Sequence, residues 1–146
     1  MSLTKPDQPD AAKHINYHVS RPGIGHMPSY LVSGTPFMTG CATLNPSTTA
    51  KVEFPRIARE VVVTNRSAQV LRISFRDKDT KGNVHTGLHY VTLQSSGASY
   101  VFRCKTKEIY IYNENGSSAG AFELYAELTN INSTEMYELT GSGITE

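Results

Sequence analysis

The chain has 146 residues, a formal net charge of +1, 18% charged residues, two cysteines and no tryptophan. That length suits one domain whose core folds without metal or disulfide staples. Scattered Arg and Lys exclude counterion-driven nucleic-acid binding, no apolar run reaches the ~20 residues that span a bilayer, and Met1–Pro6 lacks the apolar stretch of a signal peptide.

In chain order, residues 1–47 read as an extended N-terminal arm and residues 48–146 as a β-sandwich domain. The arm holds six of the seven prolines, so it is neither a central strand nor a long helix. It is also too apolar for a linker, with Ile15, Tyr17, Val19, Ile24, Tyr30, Leu31 and Phe37. It should lie along the sandwich or on a neighbouring subunit, with short pieces such as Ser29–Ser33 pairing at a sheet edge.

Strands follow. Ala50–Phe54 turns Val52 and Phe54 inward. Glu60–Thr64 carries Val61, Val62 and Val63, a β-branched run fit for a buried strand. Val70–Arg76 sets Leu71, Ile73 and Phe75 against Arg72, Ser74 and Arg76, and Asp77–Asn83 is a turn. His89–Leu93, Ser99–Cys104 and Glu108–Tyr112 are short strands, and Asn113–Gly120 is a loop. Ala121–Leu128 alternates most clearly: Phe122, Leu124, Ala126 and Leu128 share one face, Glu123, Tyr125 and Glu127 the other. Met136–Leu139 closes the set. About eight strands without helical periodicity give an all-β, antiparallel β-sandwich, a single jelly roll or an immunoglobulin-like topology.

The chemistry-bearing residues form no recognisable catalytic set. His85 and His89 on a strand would sit too far apart for one metal ion. Asp77-x-Asp79-x-Lys81 fails as a calcium loop at its fifth and twelfth positions, Lys81 and Leu88. No nucleophile elbow or phosphate-binding loop is present, so no enzyme activity, metal or cofactor is expected. His14, His18 and His26 read as a pH-sensitive clasp or as hydrogen-bonding partners within the arm. Cys41 and Cys104 read as small buried thiols, with a mutual disulfide left open. Three N-x-S/T sequons, at Asn65, Asn115 and Asn132, read as coincidence in a Ser/Thr/Asn-rich chain. Tyr110 and Tyr112 oppose Ile109 and Ile111, so that strand is either central and covered or against a partner. Tyr110, Tyr112 and Tyr125 with the Asn113–Gly120 loop would alternatively form the platform of a carbohydrate-binding module.

Three stretches carry a resemblance: Pro28-Ser29-Tyr30-Leu31-Val32-Ser33-Gly34-Thr35-Pro36-Phe37-Met38-Thr39-Gly40, then Glu53-Phe54-Pro55-Arg56-Ile57, then Ala126–Ile131 with Glu138–Gly143. Over about residues 28–143 the chain resembles single-jelly-roll capsid proteins of large icosahedral double-stranded DNA viruses, of the kind that form pentameric vertex capsomers. The resemblance implies a homopentamer in the virion, made in the host cytoplasm and contacting major and minor capsid proteins. A minor or cement role between capsomers is the neighbouring alternative. Candidate interface residues are Tyr17, Ile24 and Tyr30 in the arm and Tyr110, Tyr112 and Tyr125 in the sandwich.

Overall fold

A computed structural model describes residues 21–78, 84–141 and 143–145. The architecture is all-β and antiparallel, with seven strands among the described residues: β1 (Thr35–Leu44), β2 (Thr49–Asn65), β3 (Leu71–Ser74), β4 (Val91–Leu93), β5 (Ser99–Phe102), β6 (Thr106–Asn113) and β7 (Gly120–Asn132).

The long strand β2 organises the rest, because its two halves have different neighbours. Thr49–Glu53 pairs with β6, whereas Val61–Thr64 lies between β7 and β5, and Ala58 at the corner still pairs with Thr106 of β6 as well as Leu128 of β7. Pairing changes register between Glu53 and Ala58 and again before Glu60, around Pro55. Proline donates no ladder hydrogen bond, and at this corner none is needed. The result is two four-stranded layers that share β2: β1-β7-β2-β5 and β2-β6-β3-β4. That order, antiparallel throughout, is the order of a jelly roll in which the second and third segments run on as one bent strand. Eight strand-like segments are therefore present, and the third begins without a loop.

Alternation delivers the core between the layers. Val61 and Val63 of β2, Leu71 and Ile73 of β3, Ile109 and Ile111 of β6, and Phe122, Leu124 and Ala126 of β7 form one buried cluster. Edge-to-face rings close it at the rims, Phe37 on Phe54 at 5.3 Å and Phe75 on Phe102 at 5.4 Å. A smaller cluster of Ile57, Ile131 and Met136 seals one end, with Ile24, Tyr30 and Leu139 packed against it.

Several expected elements differ from the structure. Ser29–Ser33 does not pair at an edge; Pro28–Leu31 is a one-turn helix, α1, because Pro28 presets its first φ and the Val32 N–H donates to the Pro28 carbonyl. The edge strand is β1, drawn from Thr35–Leu44 within the stretch read as arm, and Pro36 sits on it where an edge tolerates proline. Met136–Leu139 is not a strand: the Asn132 side chain caps a 3-10 turn over Ser133–Glu135, after which Met136 plugs the smaller cluster. Val62 is not buried like its neighbours, since the period of two turns it to the outer face.

Candidate functional site

Pairing register aligns one side chain from each strand of the first layer on its outer surface. Met38 of β1 is opposite Tyr125 of β7, Tyr125 is opposite Val62 of β2, and Val62 is opposite Val101 of β5. Directly opposed side chains stand ~5 Å apart, so the four make a continuous apolar row across the whole sheet. Met38 is 75% exposed and Val101 45% exposed, with Tyr125 and Val62 half-buried between them.

The flanking rows are polar. Gly40, Glu123, Thr64 and Ser99 lie in register on one side, and Arg66 approaches Glu123 at 3.4 Å. On the other side, Glu127 pairs with Arg59 and Glu60 with Arg103 at 3.2 Å. A shallow depression of about 240 Å³ lies along the row between Met38, Val62 and Tyr125. The Tyr125 hydroxyl donates to Glu127 Oε1 at 3.4 Å, and its pKa is raised, chiefly by partial burial and then by the Glu127 charge. An apolar centre inside a polar rim is the anatomy of a protein interface.

The opposite layer is organised differently. Tyr110 and Tyr112 project outward from β6, which is central between β2 and β3. Tyr110 is only 8% exposed and is covered by its own chain: its hydroxyl donates to Glu108 Oε1 at 3.1 Å, and Lys51 bonds the same carboxylate at 2.9 Å. Lys51 also pairs with Glu53 at 2.6 Å, which holds its ammonium charged well above the ordinary lysine range. Tyr112 packs edge-on against His85 at 4.8 Å, with the Lys78 ammonium 5.1 Å from its ring. Beside Glu108 an open cleft of about 550 Å³ is lined by Lys51, Lys107 and Glu138 among others. Its charges pair with one another, Lys107 and Arg76 both binding Glu138, whose carboxyl they hold below the usual range.

Burial is the main cause that raises the Tyr110 phenol above its ordinary 10.0, and the Glu108 charge adds to it. The folded state thus keeps a proton that the unfolded state releases near pH ~10. This contribution to stability is full below that pH and is lost as pH rises through the folded value. Y110F is expected to cost about 1 kcal/mol at pH 7, the value of one buried hydrogen bond. It should also flatten the fall in Tm above pH ~10, read by thermal unfolding across that range.

The five described residues among those expected at an interface do not share one surface. Ile24 and Tyr30 come together, the Tyr30 hydroxyl donating to the Ile24 carbonyl at 2.6 Å while Lys105 stands 4.8 Å from its ring. Arg59 donates to the Tyr30 carbonyl at 2.8 Å and so ties α1 to β2. Tyr110 and Tyr112 face out from one layer and Tyr125 from the other, so these three form no common sugar platform. Tyr17, with His14 and His18, lies outside the described residues. His26 Nδ1 meets Ser29 Oγ at 2.6 Å, and that hydroxyl donates on to Asn130. His85 and His89 lie in and after a turn around Leu88, whose φ is 60°, rather than along a strand. Among the described residues no group of three or more His, Cys, Asp or Glu is placed to hold a metal. Cys41 and Cys104 are half-buried and unpaired. Cys41 is on β1, and Cys104 follows β5 at the opposite edge of the same layer. Three interstrand steps of ~4.8 Å separate those edges, too far for a disulfide within one chain.

No protein-family model matches the chain, and no curated protein matches it. Among solved structures it is similar to a chain of Bacillus endospore appendages, a family of disulfide-linked pili. Identity is 14%, 67% of this chain and 91% of that chain are covered, and the TM-score is 0.36. A likeness of that size carries no functional conclusion.

Proposed function

We propose that the chain is a structural capsid protein, a single jelly roll that assembles as a homopentamer at the vertices of an icosahedral virion and contacts the major capsid protein there. The apolar row Met38–Tyr125–Val62–Val101 carries this reading. It is exposed, it crosses a rigid sheet from edge to edge, and its polar rims offer paired charges rather than a reactive group. Such a surface gains free energy by being covered, at roughly 25 cal/mol per Å² of apolar area removed from water. Exposed Leu31, the last residue of α1, and Val32 after it give the chain a second apolar patch. Ring closure uses such pairs, because each subunit must present two different surfaces to its neighbours. The jelly-roll strand order and the resemblance over residues 28–143 support the same conclusion.

Locating the protein in purified particles tests the reading. The expected result is a pentamer of this chain at each vertex, with no density elsewhere on the shell. Copies spread between capsomers would instead establish the minor or cement role, and absence from particles would remove both.

A further inference from the structure

Strand β1 is the free edge of its layer: β7 pairs with one side, and among the described residues no strand pairs with the other. An open edge presents unpaired N–H and C=O groups to any arriving strand, and proteins commonly guard such edges with charged side chains, proline or a bulge. Thr35–Leu44 contains no charged residue. Pro36 guards one end and the register shift after Cys41 the other, which leaves Phe37–Cys41 unguarded. Phe37 and Cys41 point to the core side yet are only half-buried, because β1 is the last strand of its layer.

The sequence supplies a segment of matching character. His14-Ile15-Asn16-Tyr17-His18-Val19-Ser20 alternates, with Ile15, Tyr17 and Val19 on one face, and Lys13 and Arg21 flank it. It lies within the 20 residues that precede the described chain and joins the fold at Arg21. Five residues in a strand, Ile15–Val19, cover ~17 Å, the length of the unguarded stretch Phe37–Cys41 of β1.

We propose that Ile15–Ser20 of one copy adds as a strand to the open edge of β1 in a second copy, carrying Ile15, Tyr17 and Val19 over Phe37 and Cys41. Backbone pairing supplies affinity and the alternating apolar side chains set the register. A donated segment and an accepting edge are different surfaces, the heterologous relation that a closed ring requires. The inference rests on the ring assembly proposed above and names its donor and acceptor.

Two full-length proteins test it, one carrying Tyr17→Cys and one carrying Thr39→Cys, both with Cys41→Ser and Cys104→Ser. A third, with Cys104→Ser and native Cys41 as the acceptor, covers a two-residue slip of register. Mixed and mildly oxidised, the donor and an acceptor should form disulfide-linked pairs between chains, at least tenfold above the same donor oxidised with a His89→Cys protein that also carries Cys41→Ser and Cys104→Ser. An oligomer without cross-links between copies would overturn the strand addition and leave the ring standing. Cross-links confined to a single chain carrying both substitutions would overturn it in favour of pairing within one copy. Absence of any oligomer would overturn both readings.

Discussion

Replacing Asn113 with leucine is expected to lower folding stability by about 3 kcal/mol, because its amide joins two loops at one end of the sandwich. Fully buried, Nδ2 donates to the carbonyls of Leu44 at 3.1 Å and Ser118 at 2.9 Å, while Oδ1 accepts from the Asn115 N–H at 3.0 Å. It therefore stitches the β1–β2 loop to the β6–β7 loop. Asn65 does the same for the other two loops at that end: its amide donates to Gln69 at 2.7 Å and Leu93 at 3.0 Å, and its oxygen accepts from Ser67. Leucine fills the space but strands two carbonyls and an N–H away from water. N113D is expected to cost more, about 3–5 kcal/mol at pH 7, since a buried carboxylate would face carbonyl oxygens. Burial without a cation would raise the folded pKa of the new acid, so its penalty should shrink as pH falls toward ~4. Urea unfolding at the two pH values reads both effects, and equal losses for N113L and N113D at pH 7 would contradict this account of the site.

The second large effect is expected on assembly rather than on folding. Val62 stands in the middle of the apolar row, with Tyr125 on one side and Val101 on the other. Val62→Asp places a carboxylate where a neighbouring subunit would exclude water, and an unpaired charge buried there costs about 3–5 kcal/mol. Each ~1.4 kcal/mol is a factor of ten in affinity, so each contact should weaken more than a hundredfold. The isolated subunit should lose only ~1 kcal/mol, the range that separates strand formers on an exposed face. Sedimentation together with thermal unfolding separates the two effects: a monomer with nearly unchanged Tm supports the interface, whereas an intact oligomer locates the contact elsewhere.

Much of the fold was legible where a strand has one wet face. Phe122, Leu124, Ala126 and Leu128 alternate with Glu123, Tyr125 and Glu127, and the structure turns those two sets to core and solvent. The run Val61-Val62-Val63 misled because three β-branched residues look uniformly buried when only the outer two are. Ala50–Phe54 and Glu60–Thr64 read as separate strands, yet β2 runs continuously through Pro55, because only the change of partners from β6 to β7 shows that no donor is required there. The apolar row was not legible at all. Met38, Val62, Val101 and Tyr125 come from four separate segments, and cross-strand register, not sequence spacing, makes them neighbours. The sequons have a local structural role that spacing alone does not reveal. Asn65, Asn115 and Asn132 each accept from the N–H two residues on, so N-x-S/T in this chain marks turns in which the following Ser or Thr hydroxyl bonds the same oxygen. Spacing left Tyr110 either covered by its own chain or set against a partner; it is covered, by Glu108 and Lys51, which are distant in sequence from one another.

The mass of the full-length protein in solution, followed by sedimentation from micromolar concentration upward, tests the central claim most directly. Wild-type chain is expected to reach five times its monomer mass and stop there, with V62D remaining monomeric under the same conditions. A wild-type protein that stays monomeric at every concentration, or that grows without closing at five, would contradict it.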